Sequence, residues 1–218
     1  MNKIDLELKS TESGIATGSE DLVRRFADIE RAYESTLEGW ILALDLRDGE
    51  TVGHSRRVVE LTVALSAIFG ISGEELIHVR RGALLHDIGK MALPDSVLLK
   101  RGPLDAEETA QMHLHPWYAC KMLSGVDFLR PALDIPYGHH ERWDGLGYPR
   151  GLRGEEIPFP ARMFAVIDVW DALKFDRPYR PGWSADRVIE HIRSLSGTHF
   201  EPVVTEAFET LLRKRGEI

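Results

Sequence analysis

Apolar residues recur at steps of three and four through most of this chain, and this spacing constrains the fold more than any other feature. One such series begins at Leu22 and Phe26 and continues to Leu44. Steps of three and four place side chains on one face of an α-helix, whereas a half-buried strand requires strict alternation. Sustained alternation with turn signals is found nowhere in the sequence. We therefore predict an all-α protein.

Capping signals and breaker residues predict where the helices begin and end. Ser72 with Glu75, and Asp105 with Glu108, have the spacing of capping boxes. Glycine and proline concentrate over residues 94–103 and 144–160, which predicts two long loops. Beyond the first series, helices are predicted over residues 55–69, 72–85, 105–123, 162–173, 184–195 and 202–211.

The N-terminal part of the chain differs in composition from the rest. Residues 1–19 are rich in serine, threonine and glycine, which predicts a flexible segment. Ser19 is a good N-cap, so residues 20–45 are predicted to form an amphipathic helix. This helix is interpreted as a signalling or dimer helix, the alternative being that its stripe packs on the following domain. Residues 46–218 then form the functional domain.

The composition excludes several classes of protein. There are 27 Lys and Arg against 35 Asp and Glu, a net charge of −8, which argues against a protein that coats duplex nucleic acid. The longest nearly apolar stretch, residues 63–71, is far below the roughly 18 residues of a membrane span. The single cysteine, Cys120, excludes an intramolecular disulfide and a CxxC zinc pair. We expect a globular cytoplasmic protein without a membrane span.

At four places in the chain, a histidine lies close in sequence to a carboxylate or to another histidine, or two carboxylates lie one helical turn apart. These are Glu50 with His54, His86 with Asp87, His139 with His140, and Asp168 with Asp171. Burying two carboxylates in an apolar helix costs several kcal/mol unless a cation or another partner compensates them. A polynuclear metal site with nitrogen and oxygen ligands accounts for all four places at once.

Each feature also has an ordinary structural interpretation. A single buried histidine, such as His54 or His115, is usually bonded to a backbone carbonyl. Asp168 can pair with Arg162, and the two adjacent histidines can form an exposed turn. These alternatives stay open, although the joint occurrence favours a metal site. The histidines at positions 78, 113, 191 and 199 have no partner that the sequence assigns and are interpreted as structural or exposed.

These residues resemble a known family. His54, His86 with Asp87, and Asp168 are similar to the metal motif of the HD phosphohydrolase superfamily. Residues 139–149, HHERWDGLGYP, resemble the signature of HD-GYP domains, which are bacterial phosphodiesterases that hydrolyse cyclic di-GMP. Other matching segments follow in the family's order: ETVGH at 50–54, HDIGK at 86–90, HP at 115–116, DVWDAL at 168–173 and DRPY at 176–179. The resemblance covers about residues 33–208.

The resemblance implies an HD-domain helical bundle with a long GYP loop and an N-terminal amphipathic helix. It implies two or three divalent metal ions, and the ligand chemistry favours iron or manganese. Asp87 would bridge two metals, and Glu50 would serve a third. The implied ligands are Glu50, His54, His86, Asp87, His115, His139, His140 and Asp168.

The resemblance also assigns roles in catalysis and binding. Lys90 would stand near the scissile phosphate or the leaving oxygen, and Asp171 would lie behind the ligands and orient Lys90 or a ligand. Three residues match positions that hold phosphate or guanine: Tyr148, Arg177 and Arg180. Lys90 has the alternative of a helix C-terminal cation, residues 147–149 that of an ordinary turn, and the two arginines that of surface charges.

The implied function is hydrolysis of cyclic di-GMP to pGpG, with further cleavage to GMP left open. The alternatives are a sensor or protein-interaction module that keeps the fold without useful turnover, and an enzyme for another cyclic nucleotide. Expected partners are cyclic di-GMP, a second copy of the chain, and sensor, receiver or GGDEF-type signalling proteins. Two features depart from the family pattern: Lys174-Phe175 replaces a small polar pair, and Ala119 follows bulky Trp117 and Tyr118 where glycine is frequent.

Overall fold

The computed structural model describes residues 3–49, 53–177 and 180–218, with side chains from residue 21 onward. Helix accounts for 69% of the chain, and no strand occurs in the described ranges. The only β-type pairings there are two isolated bridges, between Arg177 and Arg180 and between Ser196 and Phe200. The prediction of an all-α protein is confirmed.

Ten α-helices and three short 3-10 segments make up the described structure. The α-helices are α1 (Lys3–Asp48), α2 (His54–Ile68), α3 (Gly73–Leu84), α4 (Asp95–Leu98), α5 (Ala106–Met112), α6 (His115–Leu123), α7 (Asp134–Gly138), α8 (Phe159–Lys174), α9 (Ala185–Ser194) and α10 (Pro202–Arg215). The 3-10 segments are Ile88–Ala92, Asp127–Ala132 and Gly154–Glu156.

The chain divides into two units, residues 1–40 and 41–218. The described part of the first unit is helical, because α1 begins at Lys3 and not after Ser19. The predicted helix start after Ser19 is therefore wrong, because residues 3–19 have helical backbone, while the flexibility expected for residues 1–19 stays a prediction. Helix extension adds one hydrogen bond per residue once a nucleus exists, so weak helix formers can continue an established helix.

The second unit is organised around α8. This helix is apolar on all sides and packs against α2, α7, α9 and α10, as expected for a helix at the centre of a core. Phe164, Ile167 and Trp170 of α8 are buried. The ring of Phe208 in α10 meets the Trp170 ring edge-on, with 5.9 Å between the ring centroids. Each such side chain contributes roughly 1.5–3 kcal/mol through burial. The core thus fixes α8, which carries two of the predicted site carboxylates.

Most predicted helices are confirmed, with corrections at their ends. The capping box of Asp105 and Glu108 is present, whereas the Ser72 side chain makes no capping hydrogen bond. The predicted helix over 105–123 is broken at His113 and Leu114 into α5 and α6. The first predicted loop contains the short helix α4, and the second contains one 3-10 segment and ends at Pro158, because α8 begins at Phe159. The break after α5 places His115 at the beginning of a new helix.

Among the described helices, none combines the length with the hydropathy that a membrane crossing would require.

Candidate metal centre

Most of the predicted metal ligands come together in two groups that share one carboxylate. In each group, every residue offers a ligand atom within 4.8 Å of the others. The first group consists of His54, His86 and Asp87, and the second of Asp87, His115, His139 and His140. Residues far apart in sequence therefore meet around Asp87, the residue predicted to bridge two metals.

Helix ends bring these side chains together. His54 is the first residue of α2, and His115 is the first residue of α6. His86 and Asp87 lie between the end of α3 and the 3-10 segment that begins at Ile88. A Cβ on Gly89 would lie 1.9 Å from the carbonyl oxygen of His115, so only glycine lets α6 approach this closely.

Four of the five histidines are oriented by a hydrogen bond from Nδ1. His86 donates to the Ala83 carbonyl at 2.9 Å, His115 to that of Met112 at 2.8 Å, His139 to that of Ile135 at 3.0 Å, and His54 to Asp171 Oδ2 at 2.7 Å. An imidazole nitrogen that faces a carbonyl oxygen carries the proton. The Nε2 atoms consequently point into the cluster, the arrangement that metal-binding histidines adopt.

The unpaired acceptor atoms of the cluster indicate a bound cation. Asp87 Oδ1 is buried and has no hydrogen-bond partner among the described residues. It lies 3.3 Å from Nε2 of His115, whose pKa is lowered to about 3 by burial, so this ring is neutral and presents a lone pair. Two acceptors facing each other without a proton repel, and a cation between them removes the repulsion. The donor set of imidazole and carboxylate suits divalent first-row metals.

The charges around Asp87 are strongly coupled. Burial raises the pKa of Asp87, but the ammonium of Lys90 and the imidazole of His86 outweigh it and hold the pKa well below its usual range. Lys90 Nζ lies 2.6 Å from Asp87 Oδ2. Although burial lowers the pKa of Lys90, the carboxylate of Asp87 outweighs it and raises the value to about 12. Burial also lowers the pKa of His86, but the carboxylate of Asp87 outweighs this effect, so the pKa of His86 is raised above its usual value.

Asp171 orients a predicted metal ligand. Its buried carboxylate accepts from His54 Nδ1 at 2.7 Å and from Arg57 Nε and Nη2 at 2.6 and 2.8 Å. Burial raises the pKa of Asp171, but these bonds hold it below its usual value. Asp171 therefore holds the ring of His54, one of the predicted metal ligands, and an orienting role toward Lys90 stays a prediction. The departure at Phe175 belongs to the same arrangement, since its ring lies 3.8 Å from the Arg57 guanidinium carbon.

Asp168 lies at the edge of the cluster. Its Oδ1 is 3.9 Å from His54 Nε2, and it is not a member of either group of potential ligands among the described residues. The alternative pairing with Arg162 is not adopted, because Arg162 donates to Glu201 at 2.8 Å. Glu50, the predicted ligand of a third metal, lies outside the described residues.

The GYP loop, which contains Gly147, Tyr148 and Pro149, lies beside the second group of potential ligands. Glu141 is buried and accepts from the backbone N–H groups of Arg150 at 2.8 Å and Leu152 at 3.0 Å. A Cβ on Gly147 would lie 2.5 Å from the His140 carbonyl oxygen, so the loop needs glycine where it passes the histidine pair. Tyr148 stacks on His140 with 4.7 Å between ring centroids. Burial raises the pKa of the Tyr148 hydroxyl.

The two predicted phosphate-binding arginines have different surroundings. The guanidinium of Arg180 donates to the carbonyl oxygens of Ala172 at 2.6 Å and Pro181 at 2.9 Å. The bond to Ala172 serves the C-terminal end of α8, and a contact of Arg180 with the ligand stays a prediction. The backbone of Arg177 pairs with that of Arg180 through two hydrogen bonds of 2.7 and 2.9 Å.

Sequence reasoning missed several residues of the site. Asp45 and Asp48, one turn apart at the end of α1, line a small cavity with His54, His86 and Asp87, and burial raises the pKa of both carboxyls. Their three-residue spacing just before Glu50 is the signal that could have found them. Further missed residues are Arg57, one turn after His54, Glu141, next to the histidine pair, and His113, which stacks on Tyr148.

Comparison of the sequence with known proteins identifies the family to which the chain belongs. The model of the HD domain family matches residues 41–204. The chain is 38% identical over 199 residues to the cyclic di-GMP phosphodiesterase response regulator RpfG of Xanthomonas campestris pv. campestris, covering 90% of this chain and 52% of that protein. It is 39% identical over 186 residues to 3'3'-cGAMP-specific phosphodiesterase 2 of Vibrio cholerae, covering 84% of this chain and 36% of that protein. The chain thus spans about half, or less, of the length of these relatives.

Solved structures share the fold. An HDG"Y"P protein from Bdellovibrio bacteriovorus superposes with a TM-score of 0.58 at 22% identity, over 73% of this chain and 51% of that one. The HD domain of the phosphodiesterase PgpH from L. monocytogenes, in complex with cyclic-di-AMP, superposes with a TM-score of 0.58 at 18% identity, over 82% of this chain and 95% of that one. The family match covers most of the chain, and the clustered His and Asp residues agree with it. The chain belongs to the HD domain family.

Proposed function

We propose that this chain is a metal-dependent phosphodiesterase that hydrolyses cyclic di-GMP to pGpG. The observation that carries the proposal is the shared carboxylate of Asp87, which belongs to both groups of potential ligands. Two cations a few ångströms apart are a recurrent arrangement for phosphodiester hydrolysis. RpfG, at 38% identity, is named a cyclic di-GMP phosphodiesterase, which supports the choice of substrate.

The metal set of the proposal consists of His54, His86, Asp87, His115, His139, His140 and Asp168, with Glu50 for a third ion and iron or manganese as the metal. Such ions, when bound, neutralise phosphodiester charge and activate the attacking water. Asp171 holds His54 in the tautomer that presents Nε2. The α-helix ends and the close approach at Gly89 keep the imidazoles in place.

Lys90 would contribute charge to the reaction. Its ammonium lies 2.6 Å from Asp87 Oδ2 and so at the edge of the cluster where a phosphate would bind. A fixed positive charge stabilises the negative charge that develops on the leaving oxygen. Arg177 is proposed to hold ligand phosphate, since a guanidinium binds phosphate through two parallel hydrogen bonds. Tyr148 would contact the ligand through its hydroxyl.

The test separates metal binding, ligand binding and turnover. Asp87→Ala is expected to lose both metal and activity. Lys90→Ala should keep the metals and most of the affinity for cyclic di-GMP and lose about 10²- to 10³-fold in kcat. Arg177→Ala should instead weaken binding by about 10- to 100-fold. Lys214→Ala, an exposed lysine in the last turn of α10, is the matched control.

The measurements are metal content, affinity for cyclic di-GMP and formation of pGpG and GMP under anaerobic conditions. Wild-type protein that binds metal and nucleotide but forms no product with iron or manganese would contradict the proposal and support the sensor alternative. Faster cleavage of 3'3'-cGAMP than of cyclic di-GMP would favour a second substrate class. The relative named a 3'3'-cGAMP-specific phosphodiesterase, at 39% identity, makes this comparison necessary.

We further propose that residues 20–45 mediate homodimerisation in the cytoplasm, in response to sensor, receiver or GGDEF-type partners. Leu22, Phe26, Ile29 and Tyr33 share one face of α1 at steps of three and four, and each is about half exposed or more. A second copy of the same helix would cover this stripe. A variant lacking residues 1–35 should be a monomer, so light scattering should give about half the mass expected for its dimer. An unchanged oligomeric state would contradict the dimer helix.

A further inference from the structure

His140 differs from the other four histidines of the cluster in how its ring is held. The others each donate Nδ1–H to a carbonyl or a carboxylate. Within the described residues, no hydrogen bond to the His140 ring is found, and its contacts are with other rings. A metal ligand without a hydrogen bond needs another means of fixing its orientation, because a freely rotating imidazole binds a cation weakly.

Tyr148 provides that support from the GYP loop. Its ring stacks on His140 with 4.7 Å between centroids and 26° between planes. A second imidazole, His113, stacks on Tyr148 at 3.8 Å and 15°. Two near-parallel rings at these distances cannot share one face of a tyrosine, so they lie on opposite faces. The rings of His113, Tyr148 and His140 therefore form one continuous stack.

The position of His113 is set by the break between α5 and α6. It is the C-cap of α5, two residues before the potential ligand His115, and is exposed on its outer side. Near-parallel ring pairs stabilise each other beyond the area they bury. His113 thus closes the solvent side of the stack, while His140 lies at the cluster end.

We infer that His113 is a positioning residue that holds His140 in its metal-binding orientation through Tyr148. The inference rests on the metal assignment of the proposed function. Both faces of Tyr148 are occupied in this arrangement, so a guanine cannot stack on it, and the residue offers a ligand only its hydroxyl and ring edge.

The test measures how fast the metal leaves. Protein loaded with Mn²⁺ is mixed with excess EDTA in the absence of nucleotide, and Mn²⁺ release is followed with time. His113→Ala should release Mn²⁺ about two- to fivefold faster than wild type, the range expected for one partly exposed ring pair. His113→Phe, which keeps the ring, should restore the wild-type rate. His191→Ala, a histidine outside the cluster, is the matched control and should not change it.

A double variant tests the route through Tyr148. Tyr148→Leu removes the central ring, so it should accelerate release at least as much as His113→Ala. Adding His113→Ala to Tyr148→Leu should then have no further effect, because the two residues act in one stack. Additive effects, or equal release from His113→Ala and wild type, would overturn the inference. So would a His113→Phe variant that behaves like His113→Ala.

The outcome is separable from that of the proposed function. A chain that binds Mn²⁺, shows the expected release rates and hydrolyses no cyclic dinucleotide leaves the positioning role intact and removes the phosphodiesterase proposal. Thermal unfolding of the metal-free variants serves as a second measurement. Equal unfolding temperatures, together with faster release, show that His113 acts on the metal site and not on general stability.

Discussion

Replacing Asp171 by asparagine should destabilise the second unit and weaken its metal site together. The native carboxylate is fully buried and accepts three hydrogen bonds, one from His54 and two from Arg57. An asparagine keeps one acceptor oxygen but turns an NH₂ group toward one of these donors. Breaking one partner of a buried ion pair costs roughly 3–5 kcal/mol, and the retained oxygen places this case near about 3 kcal/mol.

Urea unfolding of the metal-free protein measures the loss of unfolding free energy, and thermal unfolding measures the accompanying fall in unfolding temperature. At about 2–4 °C per kcal/mol for a domain of this size, the unfolding temperature should fall by roughly 6–12 °C. Asp127→Asn is the matched control, because its ion pair with Arg130 at 3.0 Å is exposed and should contribute less than about 1 kcal/mol. Metal affinity should fall by about 10- to 100-fold, since His54 loses the fixed carboxylate that orients it.

A double variant tests the physical reason. In an Arg57→Leu background no guanidinium is left to be stranded, so Asp171→Asn should cost much less than it does in the wild type. The reasoning is refuted if Asp171→Asn destabilises no more than Asp127→Asn, or if its cost is the same in both backgrounds. In either case the buried ion pair would not be what stabilises this part of the site.

Three further predictions concern the loop and the surrounding fold. Burial lowers the pKa of His199 to about 4, so the unfolded chain binds a proton more readily than the folded one as the pH falls from the ordinary histidine pKa toward 4. Wild-type protein should lose about 1–2 kcal/mol of unfolding free energy over this pH range. His199→Phe should lose less, as measured by urea unfolding at a series of pH values. Gly147→Ala should displace the loop and release metal, as judged by metal content, because its Cβ would lie 2.4 Å from a backbone nitrogen, whereas Gly125→Ala, with open space around it, should keep the metal. The bonds from Arg142 hold the pKa of Asp144 at about 2, so the ionised carboxylate stabilises the fold above its ordinary pKa, and this stabilisation is lost as the pH falls through 2. Asp144→Asn should therefore lower the unfolding free energy by about 1 kcal/mol at pH 7 and by almost nothing near pH 2. An equal loss at both pH values would contradict this.

The sequence determined the helical class and most helix positions, because the spacing of apolar residues and the capping box at Asp105 are local properties of the chain. It also identified the histidines and Asp87, since adjacent or helically spaced ligands are visible without a structure. The boundary at residue 19 was not predictable in this way, because the backbone helix continues from Lys3 through weak helix formers.

Only the tertiary structure decided which partner each polar group takes. Asp171 binds Arg57 and His54 across more than a hundred residues of sequence, and Arg180 gives its donors to the end of α8. The stack of His113 on Tyr148 joins the break after α5 to the GYP loop, and neither segment alone contains a signal for it. The physical reason is that side-chain partners depend on how helix ends meet in space, whereas periodicity and capping report only on neighbours along the chain.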